Sequence, residues 1–162
     1  MRLFLDTESN GFGGELISMA LVSESGDEWY EVVSFDGLPE PFVAKHVLSN
    51  LGKEPITNAE FVDSLDAFLT GYSLSSGLEI IADWTSDFEH LSSWLSSMGA
   101  YRGWSIPFEC TMRLVRGDAT IAPENPHNAL SDARALRDWW KRQQPFGHPA
   151  EDQWISSGQR RI

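Results

Sequence analysis

The segment Leu3-Phe4-Leu5 places apolar side chains on both faces of a strand, and two carboxylates, Asp6 and Glu8, follow it directly. A strand that is apolar on both faces lies inside a sheet covered by helices on each side. Residues two apart on a strand point to the same face, so Asp6 and Glu8 share one side of the sheet. Burying both charges costs several kcal/mol unless they are compensated. The two acids therefore lie either past the strand end in water, as ordinary loop residues, or in a charge-compensated site.

Short turns connect the first three predicted strands, which indicates an antiparallel meander. These strands cover residues 2–8, 16–22 and 29–34. Clusters of Gly, Asn, Asp and Ser separate them, and such clusters are typical of tight turns. The alternation ends before Pro39 and Pro41, where the spacing of apolar residues changes to that of a helix.

The rest of the chain predicts helices that alternate with further strands. Thr57 and Glu60 form a capping box ahead of an amphipathic stripe. Ser86 is expected to cap a later helix, and Gly99 is expected to end it. The predicted elements are a helix over 42–51, a helix through 61–69, a strand over 79–84, a helix over 86–98, a strand-to-helix segment near 108–115 and a helix over 128–143. This pattern predicts an α/β fold with a mixed sheet covered by helices.

The length of 162 residues fits a single domain, with a core over about 1–143 and a C-terminal tail over 144–162. Cys110 is the only cysteine, which excludes an intrachain disulfide and a cysteine-based zinc cluster. We therefore expect a reducing, cytoplasmic setting. The chain shows no signal-peptide pattern and no apolar run near the ~20 residues of a membrane helix, so no membrane association is expected.

The net charge of −12 argues against nucleic acid as a partner, since phosphate binders usually carry excess Lys and Arg. The charge is unevenly distributed, however. Residues 1–100 hold 3 basic and 17 acidic side chains, whereas residues 101–162 hold 9 basic and 7 acidic ones. Composition alone favours a solvated acidic surface.

A carboxylate interrupts the apolar stripe of the last predicted helix. The stripe consists of Ala129, Ala133, Leu136 and Trp140. Asp132 falls inside it and needs a partner, either backbone amides or a bound cation. His127 lies five residues earlier, near the helix start, which brings an imidazole to the mouth of the same cleft.

Two further acids compete for a place beside Asp6 and Glu8. Asp87 opens the helix after the fourth strand, where an acid is favoured by the helix dipole alone. It also follows a strand end, and ligands of α/β sheets gather at such ends. Asp83, on the strand itself, is the competing candidate for the same role.

Three segments together resemble the three motifs of the DEDDh family of 3′→5′ exonucleases. They are Asp6-Thr7-Glu8, the segment from Ala82 to Leu91, and the segment from His127 to Leu136. The third, His-x4-Asp followed by Ala-Arg, is the most specific; the second departs from the family, which usually has an Asn before its Asp. The resemblance covers residues 2 to about 140 and is greatest to small stand-alone exoribonucleases of bacteria and phages. It implies a ribonuclease-H-like fold and hydrolysis of single-stranded RNA from its 3′ end.

The resemblance also implies roles for individual residues. Two divalent cations, Mg²⁺ or Mn²⁺, would bind to oxygen ligands from Asp6, Glu8, Asp87 and Asp132. His127 would act as general base toward the attacking water, because histidine changes charge near neutral pH. Contacts to the substrate are expected from Thr7, Phe12 and Arg134, with Phe12 stacking on a base.

Other functions compete with this interpretation. The same motifs fit a 3′→5′ exodeoxyribonuclease, because spacing does not reveal a contact to the 2′-hydroxyl. A catalytically silent binding module would have lost one of the motif residues. An acidic mimic of nucleic acid would account for the net charge of −12. Many DEDDh ribonucleases are dimers, so a homodimer is one arrangement that the resemblance implies, with Trp154 either in the dimer contact or packed on its own chain.

Overall fold

The computed structural model describes residues 1–72, 77–102, 109–117 and 120–143. Five strands form one mixed sheet in the order β3-β2-β1-β4-β5. They are β1 (Arg2–Ser9), β2 (Leu16–Ser23), β3 (Glu28–Val32), β4 (Leu78–Ala82) and β5 (Cys110–Leu114). The first three pair antiparallel, and β4 is parallel to both β1 and β5. The predictions of an α/β mixed sheet and of a central first strand are confirmed.

Over the described residues, four helices accompany the sheet, with a short 3₁₀ turn at Leu48–Asn50. They are α1 (Pro41–His46), α2 (Asn58–Thr70), α3 (Thr85–Arg102) and α4 (Ala129–Gln143). The capping box at the start of α2 is confirmed, since Thr57 and Glu60 exchange hydrogen bonds between side chain and backbone. None of the helices in the described part of the chain is long and apolar enough to cross a membrane.

Helices cover both faces of the sheet, as the apolar first strand predicts. Leu3 and Leu5 are fully buried against α2 and α3, in a cluster that includes Phe61 and Leu91. The intervening Phe4 points to the opposite face, where it packs with Leu136 of α4 and with Ile81, Trp139 and Trp140. Ala20 and Val22 on that same face pack against Ala129 and Ala133. The small residues allow α4 to lie close to β2, directly beside the end of β1.

The structure corrects several predicted element boundaries, among them the strand over 79–84, which ends at Ala82, so that Asp83 follows the strand. α3 begins at Thr85 and continues through Gly99 to Arg102, so Ser86 lies inside its first turn and Gly99 does not end it. A glycine within a helix costs about 1 kcal/mol relative to alanine, which is too little to end the helix by itself. The predicted helix over 42–51 divides into α1 and the 3₁₀ turn. The segment near 108–115 provides a strand, β5, while Trp154 and the tail lie outside the described residues.

Candidate metal centre

The first two acids lie on the face of the sheet that α4 covers. Asp6 pairs in register with Ala20 of β2, and Glu8 pairs with Ser18. Ala20 packs against α4, so the side chains of Asp6 and Glu8 emerge beneath the first turn of that helix, which carries Asp132. Parallel β1 and β4 end at the same edge of the sheet, and Asp83 and Asp87 follow β4. Acids from three separate stretches of sequence, 6–8, 83–87 and the first turn of α4, thus converge on one point.

Five carboxylates at this point form two overlapping sets of candidate ligands. In one set the ligand oxygens of Asp6, Asp83 and Asp87 lie within 4.8 Å of one another, and in the other those of Asp6, Glu8 and Asp132 do. Asp6 belongs to both. The competition between Asp83 and Asp87 is therefore not exclusive, because both carboxylates reach Asp6.

Crowding and burial raise the pKa values of these carboxyl groups. Desolvation raises the pKa of Asp6 well above its ordinary value, with further increases from the surrounding acids. Desolvation, together with repulsion from Asp132 and Asp87, raises the pKa of Glu8 to about 8. Desolvation is also the main cause of the raised pKa values of Asp87, about 7, and Asp132, about 6. The pKa of Asp83 rises for the same reason. A group of acids that resists ionisation in this way favours a bound cation, which would compensate the charge.

The environment of Asp87 fits a cation most directly. Its side chain is buried, with 2% exposure, and Thr7 donates a hydrogen bond of 2.6 Å from Oγ1 to its Oδ1. Its other oxygen, Oδ2, is buried without a hydrogen-bond partner. A buried oxygen of this kind needs compensation, and a hard cation such as Mg²⁺ takes carboxylate oxygens as ligands. Of the described side chains that line the cleft, none is Lys or Arg.

His127 lies at the rim of a cleft of about 450 Å³ that Asp6, Glu8, Asp83, Asp87 and Asp132 also line. Its backbone has a φ of +64°, in the left-handed region that only a few per cent of non-glycine residues occupy. This turn sets the direction of the chain just before α4. The structure thus brings the imidazole and the carboxylates to one cleft.

Asn128 fixes this turn to both α4 and the 3₁₀ turn. Its Oδ1 accepts a hydrogen bond from the backbone N–H of Ser131, which caps α4. Its Nδ2 donates to the carbonyl of Asn50 at 2.8 Å. The backbone N–H of Asn128 donates to Oδ2 of Asp132 at 3.2 Å, which orients that carboxylate.

Replacing Asn128 with alanine is expected to lower the free energy of unfolding by about 2 kcal/mol. The lost cap accounts for about 1 kcal/mol and the lost bond to Asn50 for about 1 more. Urea unfolding followed by circular dichroism measures this change. Asn125→Ala is the matched control, because Asn125 is exposed and its backbone N–H, which bonds to Ser131, is retained. An equal loss in both variants would contradict the assigned role of the Asn128 side chain.

Two of the predicted substrate contacts are not brought to the cleft. Phe12 lies on the turn after β1 with 99% exposure, and it does not line the cleft. Arg134 forms an ion pair with Glu28 through a 2.7 Å bond from Nε to Oε1, on the β3 side of α4. Thr7 does line the cleft, where it bonds to Asp87.

Several residues near the site carry no signal in the sequence. Trp84 lines the cleft with 65% of its surface exposed. Phe42 and His46, on α1, lie against the ring of His127. Trp84 falls at the end of the predicted strand over 79–84 but follows β4 in the structure, and α1 is distant from His127 in the chain, so only the fold reveals these neighbours.

A larger cavity, of about 520 Å³, lies between α2, α3 and the adjoining ends of β2 and β3. It contains His90, Glu15 and Asp36. Among the described residues, these side chains do not form a set with ligand atoms within metal-binding distance. The cleft of the five carboxylates is therefore the candidate centre.

Comparison with known proteins gives no further guide to the site. No protein-family model matches this chain, and no curated protein shows significant similarity to it.

Proposed function

We propose that this protein is a metal-dependent 3′→5′ exonuclease that releases nucleoside monophosphates from single-stranded nucleic acid, with RNA preferred over DNA. One observation carries the proposal: Asp6 is shared between two sets of three carboxylates in a single cleft. A shared carboxylate suits two cations that act together on one phosphodiester. The sheet order β3-β2-β1-β4-β5 is compatible with the ribonuclease-H-like fold that the motifs imply.

The residues of the cleft have different roles in the proposed reaction. Asp6, Glu8, Asp87 and Asp132 would hold two divalent cations, Mg²⁺ or Mn²⁺, with Asp83 as a further oxygen ligand. When bound, such cations stabilise the charge on the attacking and leaving oxygens. His127, exposed at the rim, accepts the proton of the attacking water. Thr7 keeps one oxygen of Asp87 engaged, so that the other is left for a cation.

The small cleft and the charge favour a short or single-stranded substrate. With 24 acidic against 12 basic side chains, the surface repels long duplexes. A 3′ end needs few phosphate contacts, and exposed aromatic side chains can stack on unpaired bases. Trp84, beside the carboxylates, offers such a surface. The preference for RNA follows from the resemblance of the motifs alone.

Digestion of 5′-labelled RNA and DNA oligonucleotides of the same sequence, with Mn²⁺, tests the proposal. The wild type is expected to produce a ladder that shortens from the 3′ end, faster with RNA. His127→Ala is expected to slow the reaction by about 10²- to 10⁴-fold, the usual contribution of general acid–base catalysis. His90→Ala is the matched histidine control, since His90 lies in the other cavity. If the wild type hydrolyses neither oligonucleotide with Mg²⁺ or Mn²⁺, the proposed exonuclease activity is excluded.

The same assay separates the competing functions. Faster digestion of DNA would indicate an exodeoxyribonuclease. Binding of single-stranded RNA without any ladder would indicate a silent binding module. A salt-sensitive complex with a DNA-binding protein, again without hydrolysis, would indicate an acidic mimic. The convergence of the acids in one cleft argues against the mimic, because mimics distribute carboxylates over an exposed surface.

A further inference from the structure

The ring of His127 lies against an aromatic side chain from a distant part of the chain. The ring centroids of Phe42 and His127 are 5.1 Å apart, and the ring planes meet at 88°, which is an edge-to-face pair. His46, one helical turn later on α1, lies 4.7 Å from Phe42 and 6.2 Å from His127. Phe42 thus contacts both imidazoles, although 53% of its surface is exposed.

The segment that carries Phe42 is held at both ends. At its start, Asn10, which follows β1, donates from Nδ2 to the carbonyl of Leu38 at 3.0 Å and accepts from the backbone N–H of Glu40 at 2.8 Å. At its end, Nδ2 of Asn50 donates to the carbonyl of Pro126 at 3.2 Å. Asn128 donates back to the carbonyl of Asn50.

Packing completes this attachment. Val43 of α1 and Val47, which caps the end of α1, are buried against Ile17 of β2. The backbone of α1, which carries Phe42, is therefore fixed relative to both β1, with Asp6 and Glu8, and the turn that carries His127. An exposed histidine without such a neighbour exchanges among several side-chain rotamers.

We propose that Phe42 is a positioning residue that holds the imidazole of His127 in the orientation that faces the cleft. The proposal rests on the proposed function, because it assigns to His127 the role of general base. Phe42 itself does not touch the reacting atoms. Its ring disfavours the rotamers of His127 that turn away from the carboxylates, and the ring of His46 packs beside it with its centroid 4.7 Å from that of Phe42.

Phe42→Leu tests this role, with Phe42→Tyr as the conservative variant. With the labelled RNA as substrate, Phe42→Leu is expected to lower kcat about tenfold and to leave KM within about twofold. Phe42→Tyr keeps the ring and is expected to restore the wild-type kcat. In a His127→Ala background, Phe42→Leu is expected to have no further effect. A raised KM with unchanged kcat would overturn the proposal, because Phe42 would then act by contacting the substrate.

Magnetic resonance of the histidine side chains provides a readout that is independent of activity. In protein labelled with ¹³C-histidine, the signal that His127→Ala removes belongs to His127. Phe42→Leu is expected to shift this signal, because the aromatic ring beside it is lost, whereas Phe42→Tyr is expected to leave it near its wild-type position. An unshifted signal in Phe42→Leu would overturn the positioning role even if the enzyme is active. An inert wild type would instead overturn the proposed function, so the two failures are distinguishable.

Phe68→Leu controls for the general cost of losing an aromatic ring. Phe68 lies on α2, on the other face of the sheet, and packs against Trp29 and Tyr72. This variant is expected to leave kcat, KM and the His127 signal unchanged. A loss of activity equal to that of Phe42→Leu would overturn the specific role of Phe42.

Discussion

Asp6→Asn is expected to abolish hydrolysis and, in the absence of metal, to raise the melting temperature of the protein. Asp6 is the carboxylate common to both sets of candidate ligands, so its loss weakens both cation sites together. Charge stabilisation by such cations amounts to several kcal/mol, which corresponds to a loss of about 10³-fold or more in rate. The same substitution relieves the repulsion that Asp87, Asp132 and Glu8 exert on Asp6. Activity and stability are therefore expected to change in opposite directions.

The response to added metal gives the second half of this prediction. A ligand present at 100 times its dissociation constant stabilises a folded protein by about 2.7 kcal/mol. For a chain of this size that corresponds to a rise in melting temperature of about 5–10 °C. We expect a rise of this order for the wild type with millimolar Mn²⁺, and little or no rise for Asp6→Asn.

Thermal unfolding followed by circular dichroism, with EDTA or with MnCl₂, measures both effects. Asp138→Asn is the matched control: it lies on α4 as Asp132 does, but it is exposed and pairs with Arg137. It is expected to keep both the activity and the metal-dependent rise. If Mn²⁺ leaves the wild-type melting temperature unchanged, the carboxylates do not form a cation site.

The central part of the fold could be predicted because local patterns and tertiary packing agree there. Successive apolar residues of β1 and β2 point to opposite faces of the sheet, and helices cover both faces. Thr57 and Glu60 determine the start of α2 through local hydrogen bonds. Gly99 was misleading for the opposite reason. Its local preference to end a helix is worth only about 1 kcal/mol, and α3 continues past it to Arg102.

Only part of the candidate site could be predicted from the pattern of the sequence. Asp6, Glu8 and Asp132 stand out because each is a carboxylate in an otherwise apolar pattern. That Asp83 and Asp87 both reach Asp6 depends on how the chain turns between β4 and α3, which the sequence pattern does not determine. The contact of Phe42 with His127 joins residues 85 positions apart and has no local signature. Arg134 is an example of a predicted substrate contact that the structure does not bring to the cleft. It lies within the third motif, but its side chain forms an ion pair with Glu28.

The stability of the metal-free protein is expected to fall as the pH rises from about 5 to about 8. In the folded state the pKa of Glu8 is raised to about 8, that of Asp87 to about 7 and that of Asp132 to about 6. In the unfolded chain these groups titrate near their ordinary values of about 4. Between these limits the folded state binds more protons than the unfolded state, so the free energy of unfolding decreases with increasing pH. Acids with lowered pKa values, such as Glu28, contribute mainly below this window.

Bound Mg²⁺ or Mn²⁺ is expected to reverse this trend, because protons and cations compete for the same carboxylate oxygens. Melting temperatures measured at pH 5, 6, 7 and 8 at constant ionic strength, with EDTA or with MgCl₂, provide the test. The two curves are expected to lie together near pH 5 and to separate progressively toward pH 8, as the apoprotein loses stability and the metal site forms. In Asp6→Asn the separation is expected to be small at every pH. A metal-free protein that becomes more stable from pH 5 to pH 8 would contradict the electrostatic crowding of these carboxylates, because the folded state would then bind fewer protons than the unfolded chain.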